Sequence, residues 1–119
     1  MHVIRKVVDI LTATDGGATE YSPPLTGRLV EVIYTKDASN ALASTADFTV
    51  TTERDGQAVW NGVNVNASTS VRPVRAGSTV SGAASTLTEV PLHLADDRVK
   101  FVVAQGGNAK AGRFTVITI

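Results

Sequence analysis

The residues whose types and spacing could do chemistry are few. Gly107-Asn-Ala-Lys-Ala-Gly112 has the G-x4-G spacing of a phosphate-binding loop. In such a loop a lysine reaches the phosphates, a hydroxyl ligates magnesium, and a helix N-terminus faces the anion. Here the next residues are Arg113 and Phe114, and the chain runs on as RFTVITI, a strand pattern. The spacing therefore reads as a turn between two strands. His93 stands in PLHLADDR, just ahead of Asp96 and Asp97. A histidine and two carboxylates could ligate a metal or form an acid–base pair. Adjacent carboxylates on an extended chain point to opposite sides, however, and converge poorly on one ion. The other histidine, His2, lies at the terminus. No G-x-S-x-G elbow occurs, and no serine has a spaced His/Asp partner. No metal, cofactor or catalytic residue is expected, and the chain is not read as an enzyme.

Two further sets of side chains suit binding. Trp60, Tyr21 and Tyr34 could stack on sugar rings, although Trp60, after Val59 and beside Asn61-Gly62, better fits a core or sheet-rim anchor. Arg72 and Arg75 are the only charges between Asn61 and Thr88, a stretch otherwise built from Ala, Ser, Thr, Val, Asn and Gly. Arginine's planar fork makes bidentate bonds to carboxylates and is common at interface hot spots. With Val71 and Val74, these arginines are the interface candidates.

These residues must be positioned by strands. Val, Thr and Ile together supply close to a third of the chain. Their branched side chains suit pleated sheets. Asp15-Gly16, Asp55-Gly56, Asn61-Gly62 and Gly106-Gly107 read as turns, and Pro23-Pro24 as a break. Between them lie strand runs at Val3–Ala13, Ala18–Tyr21, Gly27–Lys36, Asp47–Glu53, Ala58–Trp60, Arg98–Gln105 and Arg113–Ile119. Gly27–Lys36 is apolar on both faces and reads as central. Asp47–Trp60 and Arg98–Ile119 read as two hairpins. Thr35–Ala46 reads as a loop or a single helical turn. Val71-Arg72-Pro73-Val74-Arg75 reads as an edge strand, within a long loop or arm at about 61–88. The expected fold is one domain over 1–119: an antiparallel β-sandwich of about seven to nine strands, Greek-key or jelly-roll-like. Its core should contain Val30, Val32, Phe48, Val50, Trp60, Val99, Phe101, Val103, Phe114 and Val116.

Composition narrows the function classes. The chain has 119 residues, no cysteine, and a formal net charge of zero, 11 basic against 11 acidic. Disulfides, thiolate metal sites and cysteine nucleophiles are excluded. Phosphate neutralisation on nucleic acid is not favoured. No apolar run approaches the ~18 residues of a membrane span, and the N-terminal stretch lacks the layout of a signal peptide. The sequence reads as soluble, without nucleic-acid, membrane or small-molecule partners.

Ala46–Trp60 (ADFTVTTERDGQAVW) and Leu94–Ile119 (LADDRVKFVVAQGGNAKAGRFTVITI) resemble a group of small tailed-bacteriophage virion proteins. Those proteins are encoded near the major capsid protein. TGRLVEVIYTKD at Thr26–Asp37 and the VRPVR segment extend the likeness over most of the chain. It carries structural motifs and no catalytic residue. The resemblance implies a capsid decoration or cement protein in the virion, assembled in the host cytoplasm. Its partners would be the major capsid protein and other copies of itself, as dimers or trimers. The alternatives are a head–tail connector or tail-associated virion protein, and a carbohydrate-binding module.

Overall fold

The computed structural model describes residues 3–119, apart from the side chain of Leu87; His2 lies outside the described residues. The chain forms β1 (Ile4–Leu11), β2 (Ala18–Tyr21), β3 (Leu25–Lys36), β4 (Asp47–Thr52), β5 (Ala58–Gly62), β6 (Thr69–Val71), β7 (Val74–Ser78), β8 (Ala84–Asp97), β9 (Val99–Ala104) and β10 (Ala111–Thr118). One sheet runs β1-β10-β3-β8-β7, with β6 also on β3; the other runs β2-β9-β4-β5. The strand pairs are antiparallel. The fold is all-β, two antiparallel sheets packed as a sandwich.

Period-2 alternation sets the inner faces. Phe48, Val50 and Thr52 of β4 are buried, as are Val99, Phe101 and Val103 of β9 and Phe114, Val116 and Thr118 of β10. Phe114 is the hub. Its ring centroid lies 4.6 Å from Phe101, 5.0 Å from Phe48, 5.5 Å from Tyr34 and 6.2 Å from Trp60. Such offset and edge-to-face contacts add to the burial energy of the rings themselves.

Two expected core residues are only half-buried. A register shift on β10 between Ile117 and Thr118 puts Ile117 opposite Glu31 and Thr118 opposite Leu29. Val30 is the extra residue of that bulge. Leu29 takes the inward place, and Val30 turns toward the rim. Trp60 sits on the edge strand β5, one face against Phe48 at 5.3 Å.

The last two strands are not a hairpin. β9 lies in the second sheet and β10 in the first, so 105–110 crosses between layers. The Asp15-Gly16 turn likewise crosses from β1 to β2. Asp47–Trp60 is a hairpin across Asp55-Gly56, and Asn61-Gly62 lies within β5 rather than in a turn. The crossing loops are stitched together at one end: Gly106 N donates to Gly16 O (2.9 Å), Thr12 N to Lys110 O (2.8 Å) and Ala43 N to Gly106 O (2.9 Å). The Thr35–Ala46 stretch leaves β3 as a loop, with an isolated bridge from Ala41 to Ala111 and no helical turn. The result is that β10 inserts between β1 and β3 while β9 inserts between β2 and β4.

Candidate functional site

The expected arm at about 61–88 holds the end of β5, all of β6 and β7, and the start of β8. Pro73 separates β6 from β7, because it cannot donate to a ladder. β6 pairs with β3 through Val32↔Val71, Ile33↔Ser70 and Tyr34↔Thr69. β7 moves off β3 and pairs with β8 through Val74↔Pro91, Arg75↔Val90 and Ala76↔Glu89. The β3–β8 ladder ends at Leu29↔Leu92. Next along β8 is Pro91, which has no amide proton to give, and among the described residues β8 upstream of it pairs only with β7.

Residues 74–90 therefore form a two-stranded ribbon that leaves the sandwich. It turns at Thr79–Ala83, where Thr79 N donates to Ala83 O (2.8 Å) and Gly82 N to Thr79 O (2.9 Å). Among the described residues of the ribbon only Gly77 is buried and Ser85 half-buried; the others are exposed. Gly77 is covered by Thr88, whose hydroxyl would stand 2.5 Å from a Cβ placed there. Val74 is 49% exposed, Val90 39%, and Val80 at the tip is fully open. Two shallow grooves flank the ribbon's root. One, of about 270 Å³, is lined by Arg75–Ser78, Val90, Pro91 and His93; the other, about 160 Å³, has Leu29, Val30, Pro73, Val74 and Pro91 as an apolar floor.

The four interface candidates separate. Val71 packs against the core. Arg72 reaches back to the body, its guanidinium 3.7 Å from the Glu31 carboxylate. Val74 and Arg75 stand at the ribbon's root. Sequence reasoning did not single out Val80, Val90 or Pro91. Pro91 was the readable signal, being a proline inside a β-rich run.

The residues with catalytic potential do not converge. Thr12 pins the 107–110 loop: its hydroxyl donates to Gly107 O (2.5 Å) and accepts from Lys110 N (2.8 Å). Asp97 is buried, and its Oδ1 accepts the amides of Arg54 and Arg98, each at 2.8 Å. Asp96, at φ 52°, points instead to Arg54, 3.8 Å away. His93 lines the groove beside Arg75. No set of three His, Cys, Asp or Glu among the described residues could hold a metal. A further cleft, about 300 Å³, runs past Asp9, Lys36, Asp37 and Arg113. There Arg113 Nε donates to Asp9 Oδ1 (2.8 Å), which holds the guanidinium pKa above its usual value. The amides of Asn40 (2.7 Å) and Ser39 (3.1 Å) bind Asp37 and hold its carboxyl below the usual range.

The three aromatic side chains considered for sugar stacking are each engaged with other side chains or buried. Tyr34 is buried, Trp60 packs on Phe48, and the Tyr21 ring is covered by the Arg98 guanidinium at 4.2 Å. No family model matches the chain, and no curated protein does. Among solved structures, one titled "Crystal Structure of FLHE" aligns with 99% of this chain and 98% of its own, at 10% identity and a TM-score of 0.48. The phage resemblance finds no support in these comparisons and is withdrawn, and the capsid-decoration, head–tail and carbohydrate-binding readings go no further.

Proposed function

We propose that this chain is a non-catalytic assembly module that binds further copies of itself through the ribbon at 74–90. The observation that carries the reading is a β-ribbon whose described residues, apart from Gly77 and Ser85, are exposed, beside a core to which none of them belongs. A two-stranded ribbon with no apolar face buried is marginal in water, so its ordered form gains most when something covers it. Val74, Val80 and Val90 offer apolar surface, and Arg75 and Glu89 leave the ribbon with no net charge. The whole chain is also neutral, so close packing of copies meets little self-repulsion.

Sedimentation velocity over a concentration series tests this. The full chain should associate as concentration rises. A variant with residues 75–89 replaced by Asn-Gly should stay monomeric and keep the far-UV β signature. A full chain that stays monomeric at its solubility limit, or a shortened one that still associates, sinks the proposal.

A further inference from the structure

Resting on that self-association, we infer that two copies join along the outer edge of β7, antiparallel and centred on Gly77, so that the two larger sheets become one. Among the described residues, three strands of that sheet pair on one side only in each copy: β1, β7 and the three-residue β6, which Pro73 follows two residues on. Unpaired strand edges are templates for pairing, and folded proteins blunt them with charges, lysines and inward-pointing charged side chains. β1 is blunted in this way. It carries Arg5, Lys6 and Asp9, and Lys6 shares the inward register of the buried Val8 and Ile10, opposite the buried Val116. β7, reading VRAGS, has no lysine and no internal proline, and its single charge is Arg75; the register shift between Ala76 and Ser78 puts the extra residues on β8, not on β7. β1 is protected by its charges and β6 by its shortness, which leaves β7 as the open edge.

A second copy suits this edge better than an unrelated strand. An antiparallel pair of identical strands closes on a two-fold axis and stops at two. The register centred on Gly77 sets Ala76 opposite Ser78 and Arg75 opposite Thr79 of the other copy. The two Arg75 side chains then stand four residues apart along the strands, about 13 Å at ~3.3 Å per residue. That exceeds the ~8 Å screening length at physiological salt, so the one charge on the edge does not oppose pairing. Centring on Ala76 instead would bring the arginines within about 7 Å. The ribbon has fewer residues than the ~20–30 per side of a standard interface, so a concentration-dependent dimer is expected rather than a permanent one.

The chain has no cysteine, so each introduced thiol is unique. Opposed residues in an antiparallel pair have Cα atoms about 4.5–5.5 Å apart, within reach of a disulfide. Ala76→Cys and Ser78→Cys, both at exposed positions, are oxidised separately and as a mixture. The mixture should give a linked dimer, each variant alone should give little, and Lys6→Cys on β1 should give none. Amide exchange at 74–78 in the unmodified chain should slow as concentration rises. If the full chain dimerises and the shortened ribbon does not, but Ala76→Cys links to itself or neither β7 thiol links, the edge pairing is wrong and the self-association reading stands. If the full chain never dimerises, both fall together.

Discussion

Gly27 offers the sharpest test of how the sandwich is closed. It sits in β3 at φ +123°, where the end of β10 comes down beside it. A Cβ added there would lie 2.6 Å from the carbonyl oxygen of Ile119. That oxygen accepts Arg28 N at 3.0 Å, and Ile119 N donates to Arg28 O at 3.0 Å. Gly27→Ala must therefore hold a conformation that side chains avoid, at roughly 1–3 kcal/mol. It must also push the Ile119 carbonyl away and weaken two hydrogen bonds, each worth about 0.5–1.5 kcal/mol net. The sum is about 2–6 kcal/mol, a large share of the ~5–15 kcal/mol that holds a domain of ordinary stability. Gly56 is the control. Its φ is +67°, with nothing within 4 Å of the added carbon. Only the left-handed penalty applies there, about 1–2 kcal/mol. Urea unfolding with linear extrapolation measures both, provided the two slopes agree. Losses of equal size would refute the argument. They would mean that the Arg28–Ile119 corner frays at little cost and does not close the sheet.

Two further outcomes follow from buried polar groups. Asp97→Ala should lose about 2–4 kcal/mol, since two loop amides lose a charged acceptor, whereas Asp97→Asn should lose less because one carbonyl oxygen can still accept both; urea midpoints separate the two. Burial, aided by Asp37, raises the Tyr34 hydroxyl above its ordinary value of 10.0. In the folded state it stays protonated while the unfolded chain ionises, so its contribution is whole below pH 10 and is lost as the pH climbs through the folded value. Urea midpoints of the full chain should therefore fall more steeply above pH 10 than those of Tyr34→Phe, and parallel curves would contradict the assignment.

Much of this fold was written in side-chain alternation. Phe48/Val50, Phe101/Val103 and Phe114/Val116 announced their inner faces because a pleated strand inverts its side chain at every residue. Val30 misled because a bulge depends on what the partner strand does, and Ile117–Thr118 is far away in the chain. The β9–β10 connection misled for a related reason. Gly106-Gly107 marks a reversal, but a reversal within a sheet and a crossing between sheets use the same turn residues. What decides between them is the strands already flanking the site, here β1 and β3 for β10 and β2 and β4 for β9. The candidate site was half legible. The scarcity of charge between Asn61 and Thr88 marked the stretch that holds most of the ribbon. It did not separate Val71 and Arg72, which belong to the body, from Val74 and Arg75, which begin the ribbon.

That division follows from how the chain closes. β10 fills the slot between β1 and β3, and β9 the slot between β2 and β4, so neither sheet is complete until residues 99–118 are in place. Each of those pairings is long-range, and every strand from β1 to β4 depends on it. The ribbon takes no part. It lies beyond Pro73 and Pro91, none of its described residues belongs to the buried core, and its root lines a groove with Leu29 and Val30. Lengthening or recomposing 74–90 would therefore leave the closure of the sandwich untouched. Apart from Gly77 and Ser85, the described residues there are exposed and lightly constrained by packing. Yet the segment keeps β-forming residues, a tight Gly82 turn, and a Gly77 that accepts the side chain of Thr88. Under the proposed self-association, the strand edge that this segment specifies outside the core is what a second molecule meets.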